Sequence, residues 1–247
     1  MTEERRSPYF EAVLRQLDAV RGTQAASVER AAHAVFSSLR ADGVFHLFGS
    51  GHSHSLAEEA YHRAGGLVPV NGIQEVFLTP LTPPRLSGQL ERVPGLAALI
   101  LEGHDLRAGE VLLVISNSGI NGVSVEMAQE GKRRGLTVIA LTSLAHSRSV
   151  PTRHLDGKRL FEVADIVVDT CGEIGDAAVS YPGLAGKVAP TSLLVGSFII
   201  NSLVCRVVEL FLADGLTPPV YLSANLPGGD EHNRALEAEY RGRIRGL

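Results

Sequence analysis

The chain predicts an open, doubly wound α/β sandwich built on a parallel sheet. The first observation behind this is a set of short runs that are apolar without alternation, as strands covered on both faces must be. The second is the repeated succession of such a run, a Gly/Ser-rich turn and a helix-like segment. The third is size: 247 residues, 45% hydrophobic and 20% charged, can bury a sizeable core without covalent staples and fall outside the disordered range.

The order along the chain follows from periodicity. Phe10, Val13, Leu14, Leu17 and Val20 recur at helical spacing, as do Val28, Ala31, Ala32, Val35, Phe36 and Leu39. Gly22-Thr23 separates these two helices and Asp42-Gly43 closes the second. Residues 1–43 are therefore expected to form a helical arm that packs on a neighbour or a partner subunit, and 44–247 the α/β domain. Val44 to Phe48 reads as a strand, with Gly49-Ser50-Gly51 as its turn and Ser55 to Ala64 as its helix. Val111 to Ile115 is the next, followed by Ser116-Asn117-Ser118-Gly119 and a helix over Val123 to Arg134 that Gly135 ends. Leu136 to Leu141 and Ile166 to Val168 complete the strands. Asn71 to Leu96, with Pro80, Pro83, Pro84 and Pro94, is expected to be irregular, as is Pro218 to Asn233.

Composition excludes several functions. The 23 Lys+Arg against 27 Asp+Glu give a net charge of −4, and Lys132-Arg133-Arg134 is the densest basic cluster, so a nucleic-acid surface is not expected. Cys171 and Cys205 have no partner at zinc or disulfide-framework spacing, which fits a reducing cytoplasm. Met1 to Arg6 is polar and no secretory signal is read there. Ser192 to Ala213 is the one stretch that suggests a membrane, but its uncharged part ends before Arg206 and Glu209, short of the ~20 residues a span needs. It is read as a core helix.

In this architecture ligands bind outside the carboxyl ends of the strands. Two hydroxyl-rich turns stand there: Ser50-Gly51-His52-Ser53-His54-Ser55 and Ser116-Asn117-Ser118-Gly119-Ile120-Asn121. Glycine lets backbone N–H groups approach an anion, serine adds donors, and the following helix N-terminus adds partial positive charge. Neither turn ends in the Lys-Ser/Thr of a nucleotide-hydrolysing P-loop, so a phosphate monoester is the expected ligand.

Phe48-Gly49-Ser50-Gly51-His52-Ser53 and Ile115-Ser116-Asn117-Ser118-Gly119-Ile120-Asn121, led by Gly109 to Val114, resemble the sugar isomerase (SIS) domain family over roughly Val44 to Asp214. Within it the chain is similar to a small single-domain group related to phosphoheptose isomerases and N-acetylmuramic acid 6-phosphate etherases, and Ala57-Glu58-Glu59 matches an Ala-Glu-Glu segment there. Asn121 departs from the usual Thr or Ser. The resemblance implies a five-stranded parallel sheet, dimerisation through the N-terminal helices, and phosphosugar binding by Ser50, Gly51, His52, Ser53, Ser116, Asn117, Ser118, Gly119 and Asn121. It implies no nucleotide or redox cofactor.

Proton chemistry is expected from the helix after the first loop, where Glu59 and His62 stand at i, i+3 and share a face. Glu59 is read as the base and His62 as the ring-opening catalyst or general acid, with Glu58 an alternative to Glu59. A metal held by Glu58, His62, His52 or His54 is disfavoured, because His-Ser-His on a loop is a poor fixed geometry. Glu173 reads as a turn carboxylate, and Glu231 and His232 as a lid or a reach into a neighbouring subunit. The reaction read first is dehydration of an amino-sugar 6-phosphate such as N-acetylglucosamine 6-phosphate. Aldose–ketose isomerisation and a phosphosugar-sensing module without turnover are the alternatives.

Overall fold

The computed structural model describes residues 7–247; Met1–Arg6 lie outside the described residues. Two helices come first, α1 (Pro8–Thr23) and α2 (Ala25–Arg40), then β1 (Phe45–Gly49), a 3₁₀ turn (Gly51–Ser53) and α3 (His54–Ala60). Next are β2 (Val70–Ile73), a 3₁₀ turn (Val76–Leu78), α4 (Pro84–Leu90), α5 (Leu96–Glu102), β3 (Val111–Ile115), α6 (Gly122–Arg133) and β4 (Thr137–Thr142). The chain continues through α7 (Leu144–Ser149), α8 (Leu160–Val163), β5 (Ile166–Asp169), the hairpin β6 (Ala177–Val179) and β7 (Val188–Pro190), α9 (Ser192–Ala213) and α10 (Gly229–Tyr240).

The main sheet has five parallel strands in the order β2-β1-β3-β4-β5. Alternate residues of each central strand feed two separate cores. Phe45, Leu47, Val111, Leu113, Ile115, Ile139 and Leu141 pack with α2, α3 and α9. Phe48, Leu112, Val114, Val138 and Ala140 pack with α5, α6 and α8. This two-sided burial is why the strands read as continuous apolar runs. The order steps outward from β1 and β3 in opposite directions, and a crevice opens beyond their carboxyl ends.

The helices of the expected arm join this core. Ala31, Ala32, Val35, Phe36 and Leu39 of α2 lie in the same buried layer as α9, with Phe36 edge-on to Phe211 at 5.0 Å. The apolar stretch from Ser192 to Ala213 is one helix with Val195, Ile199, Ile200, Leu203 and Val207 buried, while Leu194, Phe198 and Leu212 stay exposed. It is long and apolar enough to cross a membrane by length and composition, but its buried side is spent on the sheet.

Three expectations are corrected. The helix after the first loop ends at Ala60 rather than Ala64, because Tyr61 turns extended and His62 takes a left-handed φ of 44°. The proline-rich Asn71–Leu96 segment is not irregular throughout: it holds the edge strand β2 and helix α4. Pro84 starts α4 at a position where its missing N–H costs nothing, and Pro94-Gly95 only separates it from α5. The tail likewise becomes helical at Gly229.

At the amino ends of the strands lies a buried polar network. Glu110, 3% exposed, accepts from the N–H groups of Val44 (3.0 Å) and Arg107 (2.7 Å), from His46 Nε2–H (2.8 Å) and from Arg243. Asn71 Nδ2 donates to Nδ1 of His46 and of His104 (3.0 and 3.3 Å), which requires both rings to accept there. The Gly109-Glu110 lead-in is thus structural, tying the C-terminal residues to the root of β1 and β3.

Candidate active site

Both serine-rich turns sit at the carboxyl rim of the sheet, on neighbouring strands held in register from Phe45↔Val111 to Gly49↔Ile115. The first turns sharply because Gly51 is left-handed (φ 57°) and Gly49 packs against the Ser53 carbonyl, where no Cβ fits. The second is braced from beneath. Asn117 C=O accepts from Ser143 N–H (3.0 Å) and Thr142 Oγ1 (3.2 Å), and Ser116 Oγ accepts from Gly119 N–H (3.1 Å). Thr142 Oγ1 and Ser147 Oγ crowd the place a Cβ on Gly119 would take, at 3.0 and 3.3 Å.

The outward-facing groups are left open. Among the described residues, the hydroxyls of Ser50, Ser53 and Ser118 and the N–H groups of Asn117 and Ser118 have no protein partner. Asn117 Oδ1 is buried without a hydrogen bond. Asn117 and Ser53 line a narrow, water-sized hollow of about 10 Å³ together with Thr170, Ser192, Ile115, Leu141, Leu56 and Leu193. Thr170 Oγ1 is a second buried polar atom without a partner. Such groups are costly unless something satisfies them. The start of α9 is already filled: Asp176 accepts from Thr191 N–H (3.2 Å), Ser192 N–H (2.9 Å) and Ser192 Oγ (2.6 Å).

The expected phosphate groups Ser50, Gly51, His52, Ser53, Ser116, Asn117, Ser118, Gly119 and Asn121 therefore share this rim. The expected proton-transfer pair does not form. Glu59 lies on α3 in a contact ion pair with Arg63, with Ser197 Oγ at 3.5 Å. His62 lies past the helix end, its Nε2 3.1 Å from Glu237 Oε1 and its ring edge-on to Tyr221. The shared-face reading fails because the helix stops before His62. Burial first, then the negative charge of Glu237, pushes the Tyr221 phenol upward, so it stays a neutral neighbour. His54 points the other way, donating Nδ1–H to Gly51 C=O (2.6 Å), with Nε2 3.3 Å from Glu58.

Glu173 pairs with Lys187 on the β6–β7 hairpin, and His232 donates to Val220 C=O (3.0 Å), which anchors α10. Among the described residues no group of three His, Cys, Asp or Glu is gathered to hold a metal ion. Glu91, Thr170 and Ser192 escape sequence reading. Glu91 caps α4, and its Oε2 accepts from Asn121 Nδ2 at 2.5 Å, beside the second loop. The one local signal was its place in a proline-rich stretch, a type of segment that often folds over sites.

The family model described as SIS domain matches residues 8–143. The chain belongs to the SIS domain family. A UPF0309 protein of Shouchella clausii (strain KSM-K16) is 41% identical to it over 237 residues, 96% of each chain. A UPF0309 protein of Caldanaerobacter subterraneus subsp. tengcongensis is 40% identical over 242 residues, 97% of this chain and 98% of the relative. Among solved structures, this SIS domain is similar to a phosphoheptose isomerase from Francisella tularensis, with a TM-score of 0.55 and 17% identity over 81% of this chain and 95% of that one. A phosphoheptose isomerase from Neisseria gonorrhoeae gives 0.52 and 17% over the same shares. At that identity the likeness is one of fold.

Proposed function

We propose that the rim of the sheet binds the phosphate of a phosphosugar and that this SIS domain is a phosphosugar lyase or isomerase, acting first on an amino-sugar 6-phosphate such as N-acetylglucosamine 6-phosphate. The observation that carries the reading is the set of unpartnered donors on two adjacent loops, Ser50, Ser53, Ser118 and the N–H groups of Asn117 and Ser118. They adjoin a hollow whose own buried atoms, Asn117 Oδ1 and Thr170 Oγ1, lack partners. Charge-assisted hydrogen bonds to a dianion suit the first set, and one water or a single small polar group suits the second. The α6 N-terminus behind Asn121 adds partial positive charge.

The reaction follows from carbonyl chemistry. Once a sugar ring opens, the C1 carbonyl makes the C2 proton removable, and one enolate serves both outcomes: return of a proton to C1 of a sugar with a C2 hydroxyl gives the ketose, and loss of the C3 hydroxyl gives a 2,3-unsaturated product. Dehydration is the version tested first. Cys171 and Cys205 are free thiols, and we place the protein in the cytoplasm, where they stay reduced. The exposed Phe10 and Leu14 of α1 and Leu194 and Phe198 of α9 are assigned to pairing with a second copy.

The test is calorimetric titration with N-acetylglucosamine 6-phosphate and with N-acetylglucosamine, alongside absorbance for the unsaturated product. Binding of the phosphorylated compound alone, with turnover, is expected. Equal affinity for both compounds overturns phosphate recognition. Binding without turnover across aldose and ketose phosphates replaces the enzyme with a sensing module.

A further inference from the structure

The segment between β2 and α5 returns over the two serine loops, and Glu91 is where it touches them. Its backbone is fixed there: Glu91 C=O accepts from Val123 N–H at 2.9 Å, in the first turn of α6. Its carboxylate is held at one end only. Oε2 accepts from Asn121 Nδ2, and Asn121 Oδ1 in turn accepts from Arg153 Nη1 at 3.1 Å. Oε1 has no hydrogen-bond partner among the described residues and faces the first loop, 3.4 Å from where a Cβ on Gly51 would stand. Because residue 51 is a left-handed glycine, no Cβ stands before this oxygen.

No cation among the described residues pairs with Glu91, in contrast to Glu59, which Arg63 neutralises. An unpaired carboxylate beside loops built for an anion weakens the binding of a phosphate dianion. Binding alone gives no reason for it to be there, whereas proton abstraction does. The amide of Asn121 orients one oxygen and leaves the other to react, as a general base requires.

We propose that Glu91 is the base that removes the C2 proton of the bound phosphosugar, an assignment that rests on the phosphosugar reading above. Oε1 forms the new O–H bond. The C2–H electron pair becomes the C1=C2 double bond, and the carbonyl pair moves onto O1. The carboxylic acid of Glu91 then gives its proton back. Delivered to C1 of a sugar that carries a C2 hydroxyl, such as glucose 6-phosphate, while that hydroxyl's proton passes to the O1 anion and C2=O forms, it yields a ketose with no net change. Delivered to the hydroxyl leaving C3, it releases water while C1=O re-forms and C2=C3 appears.

The test is proton NMR of C2–H exchange in deuterium oxide, using N-acetylglucosamine 6-phosphate and glucose 6-phosphate, with calorimetry on the same ligands. The wild-type chain is expected to exchange at least one of them. Glu91→Gln is expected to bind it as tightly or more tightly and to exchange at least ~100-fold more slowly. Glu91→Asp is expected to recover part of the rate, and Glu59→Gln to exchange normally. Wild-type exchange by Glu91→Gln overturns the assignment, as does loss of its binding together with exchange, or loss of exchange in Glu59→Gln alone. A wild-type chain that binds but exchanges neither sugar overturns the base and the enzyme reading while phosphate recognition stands. One that binds neither overturns the phosphosugar reading itself.

Discussion

Ser118 is a loop hydroxyl whose removal disturbs little else, since it has no partner among the described residues. Losing one charge-assisted hydrogen bond costs about 1.5–3 kcal/mol, so Ser118→Ala is expected to weaken N-acetylglucosamine 6-phosphate binding by roughly 10- to 100-fold, measured by calorimetry. The melting temperature should stay near that of the wild type. Ser116→Ala differs, because Ser116 Oγ also accepts from Gly119 N–H; both affinity and melting temperature should fall. At this scale the sequence was informative where a residue type served its own loop, as in the serines of both turns. It was uninformative where a role comes from tertiary return. Nothing near Glu91 in sequence shows that it meets Asn121, and nothing in the Glu59–His62 spacing shows that Tyr61 leaves the helix.

Among the elements, the central strands were legible because each is covered on both faces, so their composition alone reports their place. The edge strand β2 was not. Val70-Asn71-Gly72-Ile73 is short and carries a polar Asn71 bound to two histidines. The proline count hid α4 because prolines at a helix start and in a linker cost little. The β1 turn offers a direct test. A Cβ on residue 49 would meet the Ser53 backbone, which cannot yield as a flexible side chain can. Gly49→Ala is expected to lose a few kcal/mol of stability in denaturant titration and to lose phosphosugar binding. The same change at Gly88, with nothing near it, should leave both intact.

For the molecule as a whole, acid stability should reflect the buried network at the amino ends of the strands. Burial, and then the charges of Arg245 and His46, lower the His104 pKa from 6.5 to about 4. The unfolded chain binds this proton first, so folding is favoured above pH 6.5 and that contribution is lost as pH falls through about 4. The loss is on the order of 3 kcal/mol. Burial works to raise Glu110, but hydrogen bonds from His46, Arg107 and Arg243 leave its carboxyl below the usual value, which adds to the same acid sensitivity. Urea midpoints between pH 7 and pH 4 check this, and His104→Gln should flatten the slope. Surface pairing has its own test. Phe198→Glu is expected to give a monomer by light scattering if α9 meets a second copy, with no loss of fold.

Arg243, four residues before Leu247, reaches the interior carboxylate of Glu110, and Tyr240 and Ile244 seal the hydrophobic cluster around Val44 and Val68. Residues 240–247 therefore act as a keystone. Removing residues 241–247 would take Arg243 from Glu110 and leave that buried carboxylate to the N–H groups of Val44 and Arg107 and to His46, a weakening that denaturant titration would read.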